Sequence, residues 1–186
     1  MLTRRCCRAV APVLATLALA SCGGDDSSDA SETTTTTAEP ATTSTTLSPE
    51  AEVEAAYHEV EAVMTEQGLS PDPEDPRLQD LFLEPLLSEI QENLRQAALS
   101  NQVYEPGEES SYEIRSTTLG PDGQTATLVV CSVSADRLVD YDTGDVLAQG
   151  VATLKSEASF RWVDGRWMLE DLTVTDSWDG ARSCDG

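Results

Sequence analysis

Between Gly23 and Ser48 the chain reads GGDDSSDASETTTTTAEPATTSTTLS, 26 residues with no aromatic side chain and Leu47 as the one branched aliphatic. Such a segment cannot bury enough apolar surface to offset the chain entropy that folding removes. Any packed core of the 186-residue sequence must therefore come from residues 49–186. As a random coil the segment spans about 28 Å root-mean-square, and its acidic residues extend it further. A bare solvated spacer is the first reading, and an O-glycosylated stalk is the alternative that its Ser, Thr and Pro content permits.

Charge excludes a second class of structure and function. There are 34 Asp and Glu against 11 Lys and Arg, a formal net charge of −23. Binding to nucleic-acid phosphates needs clustered Lys and Arg, which this sequence does not contain. Attraction to anionic lipid by charge is excluded for the same reason. The expected consequence is a soluble body with a monomeric habit.

Before the spacer, Arg4, Arg5 and Arg8 precede an apolar run from Ala9 to Ala20, only 12 residues long. A helix needs roughly 20 apolar residues to cross a bilayer, so a permanent span is disfavoured. The pattern is that of a secretory leader ending in small residues, Leu19-Ala20-Ser21-Cys22-Gly23. Leu19-Ala20-Ser21-Cys22 resembles the lipobox of bacterial lipoproteins. That resemblance implies cleavage between Ser21 and Cys22 and diacylglycerol on Cys22. Conventional secretion with cleavage at a nearby small residue and an uncleaved hydrophobic anchor compete with it, and the position of Cys22 favours the lipoprotein. Two acyl chains, at about 0.8 kcal/mol per buried methylene, hold a protein at a membrane where one does so only reversibly. The expected organisation is a signal peptide over 1–21, a lipidated cysteine and disordered spacer over 22–48, and a folded domain over 49–186. The domain is expected on the extracytoplasmic face of the cell membrane, with the membrane as partner through the Cys22 anchor. Removing the leader takes three arginines and leaves a mature charge of −26.

Ser48-Pro49-Glu50 supplies an N-cap, a proline at the first helical position and an acid in the first turn. Val53, Ala56, Tyr57, Val60 and Met64 follow at three- and four-residue spacing, which predicts an amphipathic helix ending at Gly68. Ser70-Pro71-Asp72-Pro73-Glu74-Asp75-Pro76 is a stiff connector that forbids its continuation. Asp75-Pro76 starts a short helix carrying Leu78, Leu81 and Phe82. Pro85 opens a third, with Leu86, Leu87, Ile90, Leu94 and Ala97 or Ala98 as its apolar stripe, running to about Ser100.

After Val103 the period changes to that of strands. Segments 111–118, 124–133, 137–141, 146–162 and 166–175 are rich in Val, Thr, Leu and aromatics. Pro121-Asp122-Gly123, Asp142-Thr143-Gly144 and Asp164-Gly165 are the turns between them. Along the fourth segment Ala152, Leu154, Ala158, Phe160 and Trp162 are expected inside, with Thr153, Lys155, Glu157, Ser159 and Arg161 in water. Trp167 and Leu169 run out of phase with Leu172 and Val174, which predicts a bulge near Glu170-Asp171. Helices followed by an antiparallel meander make an α+β domain, with the N-terminal helices packed on a curved antiparallel sheet.

The element order and the Asp75-Pro76-Arg77-Leu78 entry resemble the nuclear-transport-factor-2-like cone. Cys22 with its Thr-rich spacer, Val129-Val130-Cys131, Tyr141-Asp142-Thr143-Gly144, Trp162-Val163-Asp164-Gly165-Arg166-Trp167 and Cys184 are similar to actinobacterial lipoproteins of that fold. The resemblance covers residues 49–186. Its motifs are turns and packing residues, which specify architecture more than activity.

Cys6 and Cys7 belong to the leader, so Cys131 and Cys184 are the unmodified thiols of an exported chain. An even pair in an oxidising compartment points to a disulfide, worth roughly 4 kcal/mol for a loop of about 54 residues. A buried Cys131 with a free tail thiol is the alternative. Catalytic signals are absent: no close cysteine pair, no metal-ligand spacing, no phosphate loop and no nucleophile elbow occur. The one histidine, His58, reads as a solvated residue beside Glu54 and Glu61. Enzymes of the cone fold hold an acid or a tyrosine in the pocket. Tyr57, Tyr112, Asp140 and Asp142 are the candidates by type, although Tyr57 and Tyr112 fit as core and Asp142 as a turn.

No metal or cofactor is expected. Tyr57, Phe160, Trp162 and Trp167 are the candidate pocket lining, or they simply fill the core. An open pocket of several hundred Å3 lined by them favours ligand binding, and a filled interior favours a scaffold. The expected function is a non-catalytic, lipid-anchored binding module for an envelope protein or a small ligand. The alternative is a pocket lyase or isomerase acting on a small apolar molecule, which requires a buried carboxylate with a raised pKa. An accessory role in cell-envelope assembly is a third reading, from analogy with domains attached to penicillin-binding proteins.

Overall fold

The structure is a computed structural model that describes residues 47–185. The expected leader, the expected cleavage site at Ser21 and Cys22, the expected lipidation of Cys22 and the expected spacer as far as Thr46 lie outside the described residues. Three helices, α1 (Pro49–Leu69), α2 (Pro76–Leu81) and α3 (Leu86–Leu99), precede seven strands. These are β1 (Gln102–Glu105), β2 (Ser111–Leu119), β3 (Thr125–Ser134), β4 (Arg137–Asp140), β5 (Val146–Gln149), β6 (Ala152–Val163) and β7 (Arg166–Asp179). All pairings between them are antiparallel, in two sheets ordered β1-β4-β5 and β2-β3-β6-β7. The domain is α+β.

Capping chemistry starts the first two helices where the sequence places them. Ser48 Oγ accepts the Ala51 N–H at 3.2 Å, and Asp75 Oδ1 accepts the Arg77 N–H at 2.9 Å. The buried face of α1 is Val53, Tyr57, Val60, Val63 and Gln67, with Ala56 and Met64 packed at its margin. Gly68 does not end the helix, which runs to Leu69 with Ser70 as its C-cap. Its value is space: a Cβ there would lie 3.1 Å from the carbonyl oxygen of Tyr104 in β1. Buried Gln67 then ties down the proline-rich connector, donating to Asp75 Oδ2 at 2.8 Å and accepting the Asp72 N–H at 2.7 Å.

The helices cover one face of the four-stranded sheet. Val53, Tyr57, Val60, Leu78, Leu81 and Phe82 meet Leu128, Val130, Ala158, Phe160 and Leu169 in one continuous core between the two layers. Burying each large aliphatic or aromatic side chain contributes about 1.5–3 kcal/mol, so this layer dominates the stability of the fold.

Several features differ from expectation. β1 is an additional strand, whose Val103 pairs with Val139 of β4, and both residues are buried. The segment 146–162 is two strands in different sheets, because the chain leaves β5 at Gly150-Val151 and joins β6 in the other sheet. Thr153, expected in water, is 0% exposed. It sits in the solvent phase of β6, but the C-terminal tail folds over that back face: Thr153 Oγ1 donates to the Gly180 carbonyl at 2.8 Å and accepts the Arg182 N–H at 2.9 Å. Trp162, expected inside, is half-exposed beside the β6–β7 turn. The bulge in β7 is present, because Leu169 pairs with Phe160 and Asp171 with Ser159, leaving Glu170 as the extra residue. Leu172 and Val174 beyond it are exposed rather than packed.

Candidate functional site

The Asp164-Gly165 turn joins β6 to β7, and both residues have positive φ, 50° and 88°. Two consecutive left-handed residues make the tight hairpin whose twist matches its strands, and Asp-Gly is a preferred pair for it. The turn sets Trp162 opposite Trp167 in register, and their rings pack edge to face with centroids 5.3 Å apart. Trp162 is 37% exposed and Trp167 only 6%.

Against this hairpin tip, the first turns of α1 and the short α2 leave an open groove of about 500 Å3. Its apolar wall is the tryptophan pair with Ala55, Ala56, Leu81 and Leu47. Its charged rim is mixed. Glu52 and Glu59 come from α1, Arg77 and Asp80 from α2, and Arg166 from the hairpin. Arg166 reaches across to Asp80 at 2.5 Å, so an exposed ion pair links the two walls. Arg77 is held by Asp75 and by Glu66, each at 2.7 Å. That guanidinium in turn keeps the Asp75 carboxyl below the usual carboxylate range.

One group in the wall lacks a partner. The indole Nε1–H of Trp167 is, among the described residues, the only buried side-chain polar atom without a hydrogen bond. Buried tryptophans ordinarily find an acceptor, and an unpaired buried donor costs about 1–3 kcal/mol.

The expected pocket lining is thus divided. Trp162 and Trp167 line the groove, whereas Tyr57 and Phe160 are buried in the core and form no part of its wall. Tyr57 packs edge to face on Phe160 and on Tyr112 and donates its hydroxyl to Glu61. Burial, and then the Glu61 carboxylate, push its phenol far above the ordinary range. Tyr112 is a surface residue rather than core, and its hydroxyl lies 2.6 Å from Nδ1 of the exposed His58. Burial and the nearby Glu61 push that phenol up as well. Asp140 ends β4 and caps the turn that follows: its Oδ1 accepts the N–H groups of Asp142 and Thr143 and the Thr143 hydroxyl, which lower its pKa. Asp142 is exposed in the same turn.

Cys131 and Cys184 are joined in a disulfide, with Cα atoms 5.9 Å apart. The bond pins the tail to β3 on the sheet face away from the helices. Among the described residues, the carboxylates with displaced pKa values, Asp75, Glu92, Asp122 and Asp140, are all displaced downward. No cluster of three or more His, Cys, Asp or Glu among them could hold a metal ion. No helix among them is long and apolar enough to cross a membrane.

No protein-family model matches the chain, and no curated protein matches it in sequence. The fold does have a solved counterpart. It is similar to the crystal structure of the intermembrane space region of the chloroplast protein ARC6, with a TM-score of 0.59 and 16% identity. The match covers 69% of this chain and 98% of that one. At that identity the likeness concerns the fold alone.

Of the charged residues of the groove, the sequence did not single out Glu52, Glu59 or Asp80, and it named Arg77 and Arg166 only within the Asp75–Leu78 and Trp162–Trp167 motifs and not as site residues. They come from three elements distant in sequence. The one local signal is Arg166, flanked by the Asp164-Gly165 turn and Trp167.

Proposed function

We propose that the chain is a lipid-anchored binding module of the cell envelope, tethered through Cys22 on the extracytoplasmic face of the membrane, and that its site is the groove at the β6–β7 turn. The groove carries this reading: an open concavity with an aromatic wall and a few polar groups is the usual form of a ligand site. Export is supported by the Leu19-Ala20-Ser21-Cys22 pattern and by the Cys131–Cys184 disulfide, a bond that persists in oxidising compartments. The helices stacked on one sheet face support a variant of the nuclear-transport-factor-2-like cone whose interior is filled.

The test is retention, on envelopes stripped of their own copy, of the chain from residue 22 carrying Cys22→Ser, which removes the acyl anchor and leaves the groove to do the binding. With the groove intact this chain is retained saturably. The double variant Trp162→Ala with Arg166→Ala, which leaves the core intact, loses at least about tenfold, or 1.4 kcal/mol. Equal retention of both proteins contradicts the assignment of the groove.

A further inference from the structure

Resting on that reading, we infer that the groove takes a neutral saccharide, with a sugar face on Trp162 and an acceptor oxygen brought to the Trp167 indole. The rim decides the chemical class. Glu52, Glu59 and Asp80 offer acceptors only, and Arg77 and Arg166 offer donors only. An anion entering here meets three carboxylates on a body of net charge −23. A cation drawn to the tryptophan faces meets two guanidiniums. A hydroxyl group donates and accepts, so a polyol uses both halves of the rim without stranding a charge.

The aromatic wall narrows polyol to sugar. Trp162 is exposed enough to present ring surface and is fixed edge-on against Trp167, so a flat patch of C–H groups can cover it with little loss of side-chain freedom. Trp167 supplies the second, independent observation. It lines the groove, and its buried N–H has no acceptor in the protein. A hydroxyl or N-acetyl oxygen that reaches it recovers the hydrogen bond the fold leaves unmade.

The probe is the tetramer of N-acetylglucosamine, titrated into the full mature chain and read by tryptophan fluorescence and by the indole N–H resonance of Trp167. Saturable binding in the millimolar range is expected, with the Trp167 resonance moving downfield and the midpoint unchanged on adding salt to about 0.5 M. Trp162→Ala weakens it at least about tenfold, while Trp162→Phe retains most of it. The galacturonic acid tetramer and choline are the anionic and cationic comparisons. Binding of the galacturonic acid tetramer in place of the neutral one overturns the neutral character of the ligand, binding of choline overturns the saccharide class, and either leaves the groove as a site. If all three probes leave both signals unmoved to about 20 mM, the saccharide inference falls. The envelope-retention comparison then separately decides whether the groove binds anything.

Discussion

Thr153→Val replaces one hydroxyl by a methyl group in a fully buried side chain, and the structure gives its cost in two parts. The hydroxyl holds the tail twice, donating to the Gly180 carbonyl and accepting the Arg182 N–H. Each bond contributes about 0.5–1.5 kcal/mol net, so valine destabilises by about 2 kcal/mol while the tail stays in place. What keeps the tail in place is the Cys131–Cys184 bond, worth roughly 4 kcal/mol for the loop it closes. Gly180 follows β7 directly and donates its N–H to the Val151 carbonyl at 2.8 Å, so replacing both cysteines by alanine releases only the tail beyond it, which keeps Thr153 and the exposed Arg115–Asp185 ion pair, and exposed pairs contribute about 0–1 kcal/mol. That segment then frays into water, Arg182 finds a solvent partner, and the cost of Thr153→Val falls to about 1 kcal/mol, the bond to Gly180 alone. The measurement is urea unfolding of the full chain in a double-mutant cycle, with circular dichroism and tryptophan fluorescence as probes. Equal costs with and without the disulfide, within about 0.3 kcal/mol, refute the clamp. Thr153→Ser, which keeps the hydroxyl, costs only the methyl group, about 0.8 kcal/mol.

Three further outcomes follow from named contacts. A Cβ on Gly107 would lie 2.3 Å from the Ala135 carbonyl oxygen, so Gly107→Ala destabilises by about 1–3 kcal/mol in the same urea assay. Arg77 lowers the folded pKa of Asp75, so the stability Asp75 contributes is present above the unfolded carboxyl value near pH 4 and is lost as pH falls through the folded value. Asp75→Asn therefore weakens the protein at neutrality and flattens its acid limb, and an unchanged acid limb contradicts this. The Tyr57 phenol is raised in the folded state, so the unfolded chain releases its proton first and stability falls as pH rises past about 10. Tyr57→Phe makes that alkaline limb shallower, as thermal unfolding across an alkaline pH series will show.

What the sequence made legible is the chemistry that acts within a few residues. Ser48 and Asp75 cap helices because their side chains reach their own backbone, and Asp164-Gly165 turns because few pairs tolerate two positive φ values in succession. Glu170 was legible as a bulge because the apolar phase breaks around it. The disulfide pair was legible once Cys6, Cys7 and Cys22 were set aside as an expected leader and anchor. What escaped depends on partners far along the chain. Thr153 has the pattern of a wet residue and is buried by a tail about 30 residues later. The break at Gly150-Val151 depends on which sheet each half joins, and the strand pattern is the same in either. Tyr57 and Phe160 were placed with the tryptophans because aromatic residues suit a core and a pocket equally. The groove could not be read from any one motif, since α1, α2 and the β6–β7 turn each supply only part of its rim.

The tether is tested most directly by intact-mass analysis of the protein extracted from its own envelope after growth with labelled palmitate. A chain that begins at Cys22, carries labelled acyl groups and retains the Cys131–Cys184 bond is the predicted result. An unlabelled chain with residues 1–21 still attached contradicts the account.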